Sequence, residues 1–300
     1  MTVTGVLFVD GIHGIAVGRV PAKGDSDLGA VTWATDDGGK TWIHRLVTAP
    51  GFSFVAAQPG RGIVAIADCD VNDPTGCHPG LFLTGDLGAS WHRLTSGRFS
   101  SVSFVDASHG WAIEGGRVPA GGRIARVAVT ADGGISWTVR STPCARFHMD
   151  AVGVSFVTQS QGWIACAYDV GAGAGAKAIL HTTNGGTAWS CVASELIPEC
   201  PNKNRISYSG YLSGIAMRPS GTGATWMDRG VTQKTIDGGS HWSDIPPASF
   251  DGVFVDEVTL RTDTDWATSA WDADLQEQLI LSSSDAGQTW KTLAVVPSGQ

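Results

Sequence analysis

Apolar residues in this chain fall in short runs broken by glycine-rich polar turns, and no stretch sustains the 3.6-residue period of an amphipathic helix. The pattern is one of strands. The segment FVDGIHGIA beginning at Phe8 has an apolar end, a polar turn and a second apolar start, and FVDASHGWA beginning at Phe104 repeats it. The form returns as FVTQSQGWI from Phe156 and, more loosely, around Ile215 and Trp266. Each reads as strand, turn, strand.

A third apolar stretch, such as residues 124–130, then leads into a motif of fixed form. It reads TDDGGKTW ending at Trp42, TGDLGASW at Trp91, TADGGISW at Trp137, TTNGGTAW at Trp189, TIDGGSHW at Trp242 and SSDAGQTW at Trp290. Its acid is Asp37, Asp86, Asp132, Asp237 or Asp285, with Asn184 as the one substitute, and the glycine two places on never changes. These residues describe a hairpin turn. An Asp or Asn side chain accepts hydrogen bonds from the N–H groups of its own turn. The glycine supplies a backbone angle that other residues reach only with strain. The tryptophan offers a large apolar face to pack between neighbouring repeats, with its indole N–H expected to bond outward.

Successive motif tryptophans are 49, 46, 52, 53 and 48 residues apart. Four antiparallel strands in roughly 50 residues is the size of one propeller blade. The 41 residues before Trp42 and the 10 after Trp290 together supply one repeat, so six blades use the whole chain. The expected fold is all-β, a single six-bladed β-propeller spanning 1–300 with four antiparallel strands per blade. Its blades are expected near 1–50, 51–99, 100–148, 149–197, 210–248 and 252–300. Closure is expected to rest on packing between the first and last blades, without a shared strand.

Bulk properties narrow the function. A chain of 300 residues is long for one ordinary core, but each repeat needs only its neighbours to bury its apolar faces. Forty glycines and twelve tryptophans, with 16% charged residues, suit short strands and tight turns. A net charge of −8 argues against a nucleic-acid partner, which needs clustered Lys and Arg. No apolar run reaches the roughly 18 residues of a membrane span. Met1 to Asp10 lack a basic segment followed by an apolar core, so no signal peptide is expected in this chain. Six cysteines make an even count. Cys69 and Cys77 bracket a short polar loop and are the expected pair, and Cys144, Cys166, Cys191 and Cys200 can form two more. Their spacing fits no zinc pattern, and no metal or cofactor is expected. This cysteine usage points to an extracellular or periplasmic location, and a monomer is expected.

The motif and its spacing resemble the BNR/Asp-box superfamily over essentially all 300 positions. That group includes sialidases, other glycosidases, sortilin-type receptors and propellers similar to the photosystem II assembly and stability factor. The FVDxxxGWA element paired with a TxDGGxTW box looks most like the last, largely non-catalytic set. The resemblance implies that the boxes are structural and lie away from the ligand face. It fixes fold and leaves function open. Sialidases carry an arginine of an R-I-P-type motif on the first inner strand, and here residues 5–10 contain none. Arg19-Val-Pro21 and Arg117-Val-Pro119 look similar but are expected in connecting loops.

Residues that recur at one phase serve the repeat, and those that break phase are better functional candidates. This filter sets aside His13 and His109, His44 and His92, and His181 and His241, leaving His78 and His148. Phase-breaking residues concentrate on the face opposite the boxes, where strands two and three and successive blades are joined. A loop at 140–150 holds Arg146 and His148, and one at 192–213 holds Arg205, Tyr208 and Tyr211. Tyr168, Trp271 and Asp272 complete the candidate binding set. The glycine-alanine run at 171–177 mimics a phosphate loop but precedes a strand, so it is expected to be a plain flexible loop. The acid pairs Asp256 with Glu257 and Asp272 with Asp274 would serve calcium or glycoside hydrolysis if they converged, but adjacent loop acids are ordinarily solvated. The favoured reading is a non-catalytic propeller presenting its loop face to a protein or glycan. The alternative is a carbohydrate-active hydrolase, anchoring substrate on Arg205 and Arg229 with Tyr208 or Tyr211 as nucleophile.

Overall fold

The computed structural model describes residues 2–20, 29–67, 78–115, 125–171, 174–200, 205–228, 232–245 and 253–296. Six four-stranded antiparallel sheets follow one another along the chain, covering residues 2–50, 52–96, 99–141, 150–195, 211–244 and 253–296. They are numbered here as blades 1 to 6. Each sheet keeps its strands in chain order. The protein is a six-bladed propeller, and a 3-10 turn at Pro143–Phe147 is the one helical element among the described residues. The Cys69–Cys77 pairing, Arg229 and Arg117-Val-Pro119 lie outside the described residues.

The core is divided between blades. Six apolar clusters fill the ring, each built from two successive sheets, as when Ile15, Val17 and Ala30 of blade 1 meet Phe52, Val55 and Ala65 of blade 2. The last gap is filled in the same way, by Val3, Val6 and Phe8 of blade 1 against Ala267 and Ile280 of blade 6. No strand is shared across that gap, as the repeat count predicts. Polar stitches reinforce it. Thr259 Oγ1 donates to Val6 O at 3.0 Å, and Arg261 donates to Asp10 O at 3.2 Å while its guanidinium lies 4.7 Å from the Phe8 ring centroid.

The recurrent turn folds as its residues dictate, with two additions. Asp37 Oδ1 accepts the N–H groups of Lys40 and Thr41, and Asp37 Oδ2 accepts the Thr41 hydroxyl at 2.7 Å. The first residue of the motif also takes part. Thr35 Oγ1 donates to Asp37 and accepts the Gly39 N–H, and Thr84, Thr130, Thr182, Thr235 and Ser283 repeat this. Gly39 has φ +89°, a left-handed angle that a side chain would strain. The tryptophans pack between blades, Trp42 on the blade 6–1 cluster and Trp91 on the blade 1–2 cluster. Their N–H groups do not reach outward. Trp42 Nε1 bonds back to Gly39 O at 3.0 Å, and Trp137, Trp189, Trp242 and Trp290 close the same three-residue loop. A half-buried indole satisfies its donor most cheaply on the carbonyl that its own turn leaves open.

Several strands run further than the sequence pattern suggests. Tyr168 lies inside Gly162–Gly171, paired with Ala176, because the glycine-alanine run continues the hairpin as strand Ala174–Thr182. Tyr211 opens the strand Tyr211–Met217, and Trp271 and Asp272 end the strand Trp266–Asp272. Arg19 is likewise within Gly14–Val20, not in the connection after it.

Candidate functional site

Antiparallel order puts the acidic turns on one face of the ring and the blade-to-blade connections on the other. On that second face, two disulfides brace irregular segments on either side of blade 4. Cys144–Cys166 ties the 3-10 turn to the strand Gly162–Gly171, and Cys191–Cys200 ties the outer strand of blade 4 to the connection that follows it. The four clustered cysteines therefore form two bonds. A third brace is Lys177, whose Nζ donates to the carbonyls of Ser207, Tyr208 and Ser209 at 2.8, 2.8 and 3.1 Å. Lys177 is fully buried, and three carbonyl oxygens answer the cost of taking an ammonium out of water. The lysine of the glycine-alanine run is thus a clamp for the next blade's approach.

This clamp fixes the backbone of Tyr208 while the residue stays 53% exposed, and Tyr168 is 55% exposed. Arg146 and His148 are exposed beside the first disulfide. Arg146 lies 4.5 Å from the Phe147 ring centroid, and His148 takes a left-handed angle that ends the 3-10 turn. Arg205 is exposed, and its backbone bridges Ser194. Tyr211, Trp271 and Asp272 are half-buried, and Asp272 spends one oxygen on the N–H groups of Asp274 and Leu275 in its own turn. None of these residues lines any of the three cavities described next.

The ring axis holds chemistry that the sequence pattern hides. Each inner strand carries one bulge at the same phase. The residues left unpaired are Thr4, Ser53, Ser100, Val152, Ser213 and Asp256, one from each blade. All six line a single cavity of about 120 Å3. A bulge turns its extra side chain out of the sheet's alternation, here toward the axis. Asp256 and Glu257 are therefore inner-strand residues, not loop acids. Glu257 is 3% exposed and also lines this cavity, with Oε2 unpartnered. Burial pushes its carboxyl well above the ordinary range, and the Val55 amide opposes the shift without cancelling it.

The turn face carries two larger hollows. One, of about 820 Å3, lies between blades 6, 1 and 2 and is walled by Leu7, Phe8, Ile63, Leu87 and Leu260, with Arg261 at its edge. Arg261 is already paired with Asp265. The other, of about 770 Å3, lies between blades 3 and 4 beside Trp111 and Arg140. Sequence reasoning gave no warning of either, because both are walled by residues of the repeat itself.

No family model and no curated protein matches this chain. Solved structures do. A YCF48 bound to a D1 peptide is 18% identical, with a TM-score of 0.52 over 97% of this chain and 80% of that one. The GH93 α-L-arabinofuranosidase of Fusarium graminearum in complex with arabinobiose is 11% identical, with a TM-score of 0.60 over 94% and 92%. The GH74 xyloglucanase from Xanthomonas campestris is 12% identical, with a TM-score of 0.54 over 97% and 54%. The chain shares their propeller fold. At these identities fold is all that is shared, since one such fold hosts unrelated activities.

Proposed function

We propose that this chain is a non-catalytic propeller that holds a protein partner on the face opposite its acidic turns. The observation that carries the reading is the clamp at Lys177. Three carbonyl bonds fix residues 207–209 in place, yet the Tyr208 side chain is left outside, with Arg205 exposed three residues before it. Rigid aromatic and arginine side chains are the usual anchors of an interface, because little entropy is lost when they are covered. The likeness to a YCF48 bound to a D1 peptide supports a peptide or protein in place of a sugar. The six turns support membership of the BNR/Asp-box group. Two disulfides support an oxidising compartment, extracellular or periplasmic, where the chain acts as a monomer.

A hydrolase has the fold likeness to the GH93 and GH74 enzymes in its favour. Its acid would be Glu257, the one described carboxyl raised by burial. The cavity there is about 120 Å3, whereas ligand pockets run to roughly 300–1,000 Å3. The test is a peptide array and a glycan array read beside a fluorogenic glycosidase panel. Peptide binding that falls at least about tenfold in Tyr208→Ala, as for an interface anchor, supports the proposal. Turnover lost in Glu257→Gln, or in Tyr208→Phe, overturns it in favour of the hydrolase.

A further inference from the structure

Between Phe54, Val152, Ile215 and Trp226, the polar side chains of the axial cavity offer oxygen lone pairs. Thr4 Oγ1 donates its hydrogen to Phe52 O at 2.8 Å, Ser213 Oγ to Tyr211 O at 3.0 Å and Ser53 Oγ to Ile66 O at 3.4 Å. A hydroxyl whose one hydrogen is committed to a main-chain carbonyl can act toward a further neighbour only as an acceptor. Two carboxylates, Asp256 and Glu257, line the same cavity. Glu257 Oε2 is buried and unpartnered, and the space it fills is kept open by Gly5, where a Cβ would overlap it. A buried carboxylate oxygen is stable only when protonated, paired with a cation or bound to a metal. No cationic side chain lines this cavity.

We infer that the axial ring binds a hard divalent cation of the calcium class, held by Glu257 and Asp256 with the bulge hydroxyls of Thr4, Ser53 and Ser213. The donor set decides the class. It is all oxygen, which suits calcium and magnesium and gives zinc or copper no nitrogen or sulfur. Calcium takes six to eight oxygens in loose geometry, whereas magnesium demands a tight octahedron. Ligands supplied by blades 1, 2, 5 and 6 form a ring of unlike side chains, which the looser ion tolerates. A volume of about 120 Å3 has room for the ion and a few waters, each taking about 30 Å3. The ligands also straddle the junction of blades 6 and 1, which no strand crosses. The ion would therefore pin the ring shut.

The test is the thermal midpoint of the chelator-treated protein with calcium or magnesium added, together with calcium titration by calorimetry. Calcium at hundredfold excess over its dissociation constant should raise the midpoint by about 5 °C or more. Magnesium at the same concentration should do far less. Glu257→Gln, which keeps the shape and supplies a neutral side chain, should abolish the calcium shift while leaving the fold intact. Asp256→Asn, a near-isosteric change at a residue exposed at the bulge, is the second variant, and it should weaken calcium at least tenfold. A midpoint unmoved by calcium, an equal response to magnesium, or a calcium shift retained in both variants overturns the inference. The loop face plays no part in these readouts.

Discussion

Gly5 of the first blade and Glu257 of the last share one volume at the ring axis: a Cβ on Gly5 would overlap Glu257 Oε2 and stand 3.1 Å from Val55 Cγ1. Gly5 has no left-handed angle, so its constraint is one of space. Gly5→Ala is expected to cost about 1–3 kcal/mol, the usual range for overpacking. In a Glu257→Ala background the same change should cost less, because the overlapping atom is gone. Urea unfolding of the two single variants and the double variant measures the coupling. Additive costs would mean that the two residues do not compete for the space.

A second pairing runs through the acidic turns. Wherever the motif has Asp, the residue four places on donates a side-chain hydrogen to its second oxygen: Thr41, Ser90, Ser136, His241 and Thr289. The one Asn, Asn184, is followed at that place by Ala188, which has no hydrogen to give. Oδ2 and its donor are present or absent together. Asp37→Asn is expected to lower the urea midpoint, and to lower it clearly less in a Thr41→Ala background, where the hydroxyl donor to Oδ2 is already gone. Equal costs in the two backgrounds would break the link.

The same bonds set an acid limit. Hydrogen bonds from the residue four places on are the leading cause that brings Asp37, Asp86, Asp132 and Asp285 down from 3.8 to about 2. Folded values lie below unfolded ones, so the unfolded chain binds more protons in this range. The stability they add is fully present above pH 3.8 and is lost as pH falls toward 2. Midpoints recorded from pH 5 to pH 2 should fall across that window, and a variant with Asp37, Asp86 and Asp132 all changed to Asn should fall less steeply.

These turns also show why the fold is legible in the sequence and the axis is not. A motif recurring six times at near-constant spacing announces one blade per copy, and the acid, glycine and tryptophan carry recognisable chemistry. The Ser or Thr that opens each copy recurs just as faithfully, as Thr35, Thr84, Thr130, Thr182, Thr235 and Ser283, and was the available signal for its double hydrogen bond. Asp256 and Glu257 read as a loop pair because the bulge breaks the alternation by which an inner strand is recognised. Tyr168 read as loop for a related reason, since a glycine-alanine run has too little side chain to mark a strand. Nothing local in Lys177 marks it as a clamp, because its three partners lie about 30 residues away.

Ala286 holds the place where four other turns have glycine, with φ +58°. A left-handed angle costs an L-residue about 1–2 kcal/mol. Ala286→Gly removes that strain and loses one partly buried methyl on the blade 5–6 cluster, worth under about 1 kcal/mol. A small net gain in stability is expected, visible as a higher urea midpoint with an unchanged slope. A loss would show that the methyl's packing outweighs the backbone strain.

The Lys177 clamp can be separated from the disulfide beside it. Lys177→Met keeps much of the length and apolar stem but strips the carbonyls of Ser207, Tyr208 and Ser209 of their donor, at about 1–3 kcal/mol in all, since Tyr208 and Ser209 are exposed and water can replace part of what is lost. Cys191→Ser with Cys200→Ser opens a link between residues nine apart in sequence, where loop-closure entropy is worth about 2–3 kcal/mol. The two losses differ in where they act. The lysine holds residues 207–209 directly, so Lys177→Met should speed amide exchange there and weaken any Tyr208-dependent binding beyond its effect on the midpoint. The double serine variant should lower the midpoint and loosen mainly the segment up to residue 200. If Lys177→Met leaves exchange at 207–209 unchanged, the carbonyl cage does not organise the loop, and the proposed partner site loses the feature on which it rests.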